Sequence, residues 1–222
     1  MTTADRTPGP YPPLADPPTG HGAWATAGPL LHRGFKALNR YVMVPLHRVG
    51  LGAWLATPIG GYMLLLRVRG RKSGVVREVL LSYLVAEGSA WVLAGFGPRT
   101  EWYRNIQADP VVEAWMPGGR HAGTATEELD PAVRARILPA LARAAGLPAL
   151  LIGCNPWTAS DMEIVDRLAW VPLVRIRPEG GPLEAGRDDP GGRAWIWRQA
   201  ALTGASWLAW RVVRRAIGRA GR

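Results

Sequence analysis

The sequence predicts a mainly β protein with flanking helices, in which about six strands form a small barrel. Its 222 residues correspond to about one to one and a half domains, and an apolar content of 48% is enough to fill one core. Apolar segments of strand length, separated by turn residues, outnumber the helical segments. Cys154 is the only cysteine, which excludes an intrachain disulfide framework and a Cys-rich metal site.

The amino-terminal region divides into an arm and a helix. Residues 1–29 contain seven prolines with Gly and Thr between them, a composition that predicts a disordered arm. From Leu30 onward, apolar and basic residues recur at helical spacing on two different faces. The apolar face consists of Leu31, Phe35, Leu38 and Val42. Pro45 is expected to end or kink this helix.

A long uncharged segment follows this helix. Residues 49–66 form a run of 18 residues without a charge, which just reaches the length of a transmembrane helix. Pro58 and the pair Gly60-Gly61 interrupt the run, so we expect a short helix and then a strand that begins near Tyr62. The sequence therefore predicts no transmembrane span here.

The barrel strands and the helices between them are predicted from alternation and turn signals. The predicted strands are Tyr62 to Arg69, Val76 to Val85, Ala90 to Phe96, Val111 to Met116, His121 to Glu128 and Val171 to Arg177. The predicted helices are Thr100 to Ala108, Pro131 to about Ala145 with Asp130 as N-cap, and Thr158 to Leu168. Together, residues 30–178 are expected to form one domain.

The carboxy-terminal region is predicted to be a linker, residues 179–192, followed by a basic amphipathic helix over residues 193–222. One helical stripe is apolar and carries Trp195, Leu202, Ser206, Trp210, Val213 and Ile217. Arg211 and Arg215 lie on the opposite side. Two interpretations remain open: a peripheral membrane contact with anionic lipid, or a helix packed on the barrel or on a partner subunit.

The net charge of +10 is unevenly distributed. Residues 30–77 carry nine basic side chains and no acid, and residues 192–222 carry seven Arg and no acid, whereas residues 78–191 have ten bases and fifteen acids. This asymmetry indicates anionic partners at two places. Nucleic acid is the alternative partner class, but the basic residues lie in a turn and a terminal helix rather than along one nucleic-acid-binding module, so none is expected.

The segment Arg69 to Arg77 is the strongest candidate site. It contains four Arg or Lys side chains, Ser73 and two glycines in a turn between two apolar strands. Glycines let the backbone approach an anion, Arg can hold a phosphate or carboxylate with two hydrogen bonds, and Lys72 supplies a compact charge. The alternative is an ordinary solvated hairpin turn.

Several ordered motifs resemble one family. They are Gly70-Arg71-Lys72-Ser73-Gly74, Arg77, the strand to Tyr83-Leu84, Ala94-Gly95-Phe96-Gly97, Glu101-Trp102-Tyr103-Arg104-Asn105 and Ala108-Asp109-Pro110. Together they resemble the deazaflavin-dependent nitroreductase and quinone reductase family of actinobacteria. The resemblance covers residues 64–128 and implies a split β-barrel that binds coenzyme F420. It also implies hydride transfer from reduced F420 to quinones, nitroaromatics or other electron-poor acceptors.

The resemblance assigns roles to particular residues. Arg71, Lys72, Ser73, Gly74 and Arg77 would bind the phosphate and the oligoglutamate tail of the cofactor. Ala94, Gly95, Phe96 and Gly97 would line the ring by backbone approach, and Trp102 and Asn105 would close the pocket. Tyr83 and Tyr103 are candidate proton donors or else packing residues. Ser82, which stands where some relatives have an aromatic residue, is the third candidate catalytic residue.

The cofactor and the activity each have an alternative. FMN, or a haem-type ligand, is the alternative cofactor for a split barrel, and a carrier without turnover is the alternative to an enzyme. The acceptor is expected to be a small hydrophobic molecule, and pairing into a homodimer is a family expectation. The four histidines lack metal-ligand spacing, so no metal is predicted. The single thiol and the absence of a secretory leader predict a cytoplasmic protein, with contact at the inner membrane face as an addition.

Overall fold

A computed structural model describes residue 34, residues 37–48, 61–116 and 118–185, and positions 200–201, 203–208, 210, 211 and 214. The predicted arm over residues 1–29 lies outside the described residues, as does the second half of the predicted linker, residues 186–192. The helices are α1 Val44–Arg48, preceded by a π-helical segment Asn39–Met43, α2 Glu101–Ala108, α3 Pro131–Ala145, α4 Leu147–Leu150 and α5 Asp161–Arg167. The strands are β1 Met63–Arg69, β2 Val76–Ala86, β3 Ser89–Leu93, β4 Val111–Met116, β5 Gly119–Glu128 and β6 Leu173–Pro178.

The strands form a closed antiparallel barrel in the order β1-β2-β3-β6-β5-β4. Every strand therefore has two hydrogen-bonded neighbours, and the barrel has no open sheet edge. The predicted class, a mainly β split barrel of six strands with flanking helices, is confirmed. Among the described residues, no helix is long and apolar enough to cross a membrane.

Alternation along each strand fills the barrel with apolar side chains. Leu64, Leu66 and Val68 point inward from β1, and Tyr83 and Val85 do so from β2, all with 5% exposure or less. Helix α2 adds its buried side chains Trp102, Tyr103 and Ile106 to the same cluster. The barrel interior is therefore a packed core, and α2 is anchored in it.

A second core lies outside the barrel, under α3 and α5. The outward side chain of Trp91 on β3 packs against Leu138, Leu141 and Ile164, all fully buried. Cys154 is buried in the same cluster, and burial raises the pKa of its thiol. Cys154 is thus a small core residue.

The buried side chain of Arg134 joins α3 to the segment that follows α5. It is 7% exposed and donates hydrogen bonds to the main-chain carbonyls of Glu128, Leu168, Ala169 and Val171, at 3.0 to 3.3 Å. Burial lowers the pKa of this guanidinium, while the charges of Glu127 and Glu128 oppose that effect. The carbonyl oxygens replace water around the buried cation, and the guanidinium in turn fixes the loop before β6.

The amino-terminal helix covers the outer face of β1 and β2. Val44 is buried against Leu65 and Leu80. The expectation that Pro45 ends or kinks the helix is wrong in part, because helix continues to Arg48. Pro45 is the second residue of α1, which follows the π-helical segment directly, so the change from π-helical to α-helical hydrogen bonding falls where Pro45 lacks an N–H.

Other element boundaries differ from the sequence prediction, most of them by one or two residues. Strand β3 ends at Leu93, so residues 94–96 are not strand. Helix α5 begins at Asp161 rather than Thr158, because Ser160 and Glu163 form a capping box that starts the helix there. The short helix α4 was not predicted. Strand β1 begins at Met63, one residue after its predicted start. The whole of β4 and α3 agrees with prediction, as does the Asp130 cap, since Asp130 accepts from Ala132 N–H at 2.8 Å.

Candidate functional site

The β1–β2 connection, hereafter the basic turn (residues 69–77), is a tight hairpin turn. Gly70 N–H donates to Val75 C=O at 3.0 Å, and Gly74 N–H donates to Gly70 C=O at 2.8 Å. Gly74 has φ +66°, a left-handed conformation that favours glycine, and a Cβ added there would meet no atom within 4 Å. The turn conformation is thus set by its own backbone, and its outer surface is open.

Most predicted cofactor residues of the basic turn face solvent. Lys72, Ser73, Gly74 and Arg77 are exposed. Arg77 Nη2 donates to Ser73 Oγ at 3.5 Å, which holds the hydroxyl beside the guanidinium. The structure therefore brings two cations, a hydroxyl and an unobstructed glycine to one exposed turn, a donor set that suits a phosphate or a carboxylate.

Arg71 differs from its neighbours because it links the turn to helix α2. Its side chain is 16% exposed, and its Nη1 donates to Glu101 Oε2 at 2.8 Å and to Asn105 Oδ1 at 2.9 Å. The Arg71 main-chain N–H also donates to Asn105 Oδ1, at 3.2 Å. Two residues predicted to hold the cofactor, Arg71 and the 5% exposed Asn105, thus bind one another and fix the turn on α2.

Sequence reasoning did not single out Glu101 as a site residue. Its carboxylate lies among three cations: Arg71 hydrogen-bonds to it, Arg104 Nη1 is 4.0 Å from its Oε1, and Lys72 is close enough to act on it electrostatically. The hydrogen bond from Arg71, followed by the three positive charges, lowers the pKa of Glu101. A carboxylate therefore already lies at a place suited to an external anion. The sequence contained one indication of this role: Glu101 is four residues before the candidate site residue Asn105, so both lie on one face of α2.

Substituting Glu101→Gln is expected to tighten the binding of inorganic tripolyphosphate about three- to tenfold. The reason is that Arg71 and Lys72 would then meet the external anion without an internal carboxylate competing for them. Isothermal titration at low ionic strength measures the effect. Glu179→Gln, which removes an exposed acid at the far end of β6, is the matched control and should leave affinity unchanged. Equal affinities for Glu101→Gln and wild type would contradict the competition.

Residues 94–97 connect β3 to α2 and are packed from outside. A Cβ on Gly95 would lie 2.8 Å from Ile152 Cγ2, and one on Gly97, where φ is +82°, would lie 2.7 Å from Trp170 Cζ3. The need for glycine at both positions is thus explained by the close approach of these two side chains. Ring contacts by Ala94, Gly95, Phe96 and Gly97 stay a prediction.

The two tyrosines predicted as proton donors lie inside the barrel. Tyr83 is fully buried on β2 and pairs with Val92, next to the strand end that leads into residues 94–97. Tyr103 is 7% exposed, lies edge-on to Trp102 at 6.2 Å between ring centroids, and donates from its hydroxyl to Glu127 Oε2 at 2.6 Å. Tyr103 therefore already has an acceptor for its proton.

Ser82 lies apart from the basic turn. It alternates with the inward Tyr83, shares the outward face of β2 with Leu80, and is partly exposed. It pairs with Met63 and is six residues from Val76, which corresponds to about 20 Å along an extended strand. The structure thus brings the basic turn and α2 together, and places Ser82 near the opposite end of the β1–β2 ladder.

Among the described residues, no group of three His, Cys, Asp or Glu could hold a metal.

The geometry defines a small closed barrel with an exposed basic turn fixed to helix α2. A family model described as F420H(2)-dependent quinone reductase matches residues 47–145, which is 99 of the 222 positions. The matched region runs from α1 through α3 and includes the basic turn, residues 94–97 and α2. The match confirms the resemblance to deazaflavin-dependent reductases that the motifs predicted. No curated protein matches this chain.

The chain is also similar to several solved structures. A conserved hypothetical protein from Mycobacterium tuberculosis has a TM-score of 0.42 and 20% identity, over 53% of this chain and 72% of that chain. An F420-H2 dependent reductase has a TM-score of 0.38 and 22% identity, over 52% and 93%. A heme storage protein from Vibrio cholerae has a TM-score of 0.37 and 13% identity, over 53% and 81%.

Proposed function

We propose that this protein is an F420H2-dependent oxidoreductase that passes hydride from reduced deazaflavin to a hydrophobic, electron-poor acceptor, either a quinone or a nitroaromatic. The observation that carries the proposal is the exposed basic turn inside the region that matches the F420H(2)-dependent quinone reductase family. The family description supports the reaction type and the cofactor. A quinone acceptor is also in keeping with the family description, whereas a nitroaromatic acceptor comes from the motif resemblance alone.

The residues of the basic turn fit a polyanionic cofactor. Coenzyme F420 carries a phosphate and several glutamate carboxylates, and Lys72, Ser73 and Arg77 present exposed donors with matching charge. Gly74 leaves open space beside them for close approach of the backbone. We assign the phosphate and tail to Lys72, Ser73, Gly74 and Arg77. Arg71 and Asn105 hold the turn against α2 and so fix the position of the residues that would contact the cofactor.

An exposed apolar surface lies at the same end of the barrel as these cations. Val75, Val76 and Val111 are 55%, 49% and 59% exposed. Val76 pairs with Arg69 across the ladder, and Val111 continues the β1–β4 register to the same level on the other side. Exposed valines beside exposed cations suit a ligand that combines an aromatic body with anionic groups. This surface supports an aromatic cofactor or acceptor more than a purely ionic ligand such as inorganic phosphate.

The bound deazaflavin would supply the hydride chemistry, and the chain would supply orientation and a proton. A quinone takes up one hydride and one proton to become a hydroquinone, so a donor or a solvent path is required at the acceptor. Tyr83, Tyr103 and Ser82 are the proposed donors. Ser82 reaches the outer surface, whereas Tyr103 would have to give up its hydrogen bond to Glu127 before it could donate elsewhere.

A fluorescence titration with F420, beside a titration with FMN, tests the cofactor assignment. Wild-type protein should bind F420 in preference to FMN, and Lys72→Ala and Arg77→Ala should each weaken binding about tenfold through loss of a charged contact. Arg177→Ala, which removes an exposed arginine from β6, is the matched control and should bind like wild type. Preference for FMN, or affinity indifferent to both substitutions, would assign the turn to another ligand.

Turnover separates an enzyme from a carrier. The protein should catalyse the oxidation of reduced F420 by a short-chain menaquinone or by a nitroimidazole. The recovery of the absorbance of oxidised F420 measures this reaction. If the protein binds F420 saturably but no quinone or nitroaromatic oxidises the reduced cofactor in its presence, the protein is a carrier and the enzyme proposal is wrong.

A further inference from the structure

The carboxy-terminal helical segment presents an unusually exposed apolar surface. Every described residue between positions 200 and 214 is helical and exposed. The large apolar side chains Trp207, Leu208 and Trp210 are 52%, 58% and 55% exposed. Grouped exposed apolar side chains of this size mark a surface that binds something, since they would otherwise be buried.

Arginines are stacked on these tryptophans. The guanidinium carbon of Arg211 lies 4.4 Å from the ring centroid of Trp207, and that of Arg214 lies 4.9 Å from the ring centroid of Trp210. Both pairs are four residues apart, so the four side chains share one face of the helix and line one surface depression. The expectation that Arg211 lies opposite the stripe of Trp210 is wrong, because Arg211 stacks on Trp207 and lines the same depression as Trp210. We call these four residues the Trp–Arg patch.

The charge around the Trp–Arg patch has one sign. Residues 192–222 carry seven Arg and no Asp or Glu, a charge of +7. A binding partner must therefore accept tryptophan side chains and compensate clustered positive charge at the same place. The interface of an anionic bilayer does both, because tryptophan prefers the headgroup level and arginine extends along it to the lipid phosphates.

The stacked geometry favours a lipid surface over single-stranded nucleic acid. Nucleic acid would use the tryptophan faces as stacking platforms for bases. Arg211 and Arg214 already cover one face of Trp207 and Trp210, respectively. At a bilayer the same pairs need no rearrangement, since the rings enter the interface while the guanidinium groups remain at the phosphates.

We propose that the helical segment described between positions 200 and 214 binds the surface of an anionic phospholipid bilayer through the Trp–Arg patch. The helix lies along the interface, with Trp207 and Trp210 among the headgroups and Arg211 and Arg214 on lipid phosphates. This proposal does not depend on the reductase activity. Where both hold, the barrel is kept beside a membrane in which a lipid-soluble acceptor would be dissolved.

Vesicle flotation of the full chain tests the proposal. Wild-type protein should float with vesicles of phosphatidylcholine and phosphatidylglycerol, and much less with phosphatidylcholine alone. The double variants Trp207→Ala/Trp210→Ala and Arg211→Ala/Arg214→Ala should each lose on the order of tenfold in partitioning. Arg99→Ala/Arg177→Ala removes the same charge from exposed positions of the barrel and should float like wild type. Because all these side chains are exposed, thermal unfolding should be unchanged.

Two results would overturn the proposal. One is wild-type protein that remains in the bottom fraction of the gradient at low ionic strength in the presence of anionic vesicles. The other is flotation that is equal in wild type and both patch variants, since attachment would then reside elsewhere. A shift with a single-stranded or duplex oligonucleotide that both patch variants abolish, without flotation of wild type, would assign the surface to nucleic acid instead.

Discussion

Replacing Arg134 by Gln is expected to lower the free energy of unfolding by about 3 kcal/mol, the scale of a buried charged hydrogen-bond network that loses its donor. The guanidinium of this 7% exposed residue serves four main-chain carbonyls, three of them between Leu168 and Val171. A glutamine amide has only two donor hydrogens and a shorter reach, so most of these carbonyls would stay buried without a partner. Urea unfolding followed by fluorescence measures the loss.

Arg136→Gln is the matched control for this prediction. Arg136 lies two residues further along α3, is 57% exposed, and pairs with the exposed Glu87. An exposed ion pair of this kind contributes about 1 kcal/mol or less, so the control should unfold close to wild type. If both variants lost the same stability, the carbonyl contacts of Arg134 would not be the cause.

Gly61→Ala is expected to cost about 3 kcal/mol or more, or to prevent folding, because backbone rather than a side chain stands in the way. Gly61 has φ +88°, and an added Cβ would lie 2.2 Å from the carbonyl oxygen of Ala145 at the end of α3. The next residue, Tyr62, donates its N–H to Ala144 C=O at 3.0 Å, so β1 and α3 cannot simply move apart. Thermal and urea unfolding measure the effect.

Gly153→Ala separates backbone conformation from steric clash. Gly153 also has positive φ, +76°, but no atom lies within 4 Å of its added Cβ. It should therefore lose only about 1 to 2 kcal/mol, the cost of a left-handed conformation for a residue with a side chain. Similar losses at Gly61 and Gly153 would mean that α3 yields to the methyl group.

The strands could be predicted because their alternation is a local property. Leu64 and Leu66 point inward and Leu65 points outward, as a period of two requires. Prediction was wrong where tertiary contacts decide. Residues 94–96 are apolar enough for a strand, but Ile152 and Trp170 pack on Gly95 and Gly97 from outside, and the chain turns toward α2 there.

The position of the basic turn within the candidate site could be predicted for the same reason. The basic turn is a continuous motif, and its position between β1 and β2 follows from local patterns. The contact of Arg71 with Glu101 joins residues thirty positions apart, and depends on how α2 sits on the barrel. No local pattern contains that information, so the sequence indicated the cations of the site but not the carboxylate among them.

The strand order has a consequence for synthesis of the protein on the ribosome. Strand β6 pairs with both β3 and β5, although 44 residues separate it from the end of β5. At a translation rate of about 5–20 residues per second, the nascent chain would carry two unpaired strand edges for roughly 2–9 s. Unpaired edges are templates for pairing with another chain. This interval is therefore when the protein is most exposed to aggregation in the cell, and when a chaperone would matter most.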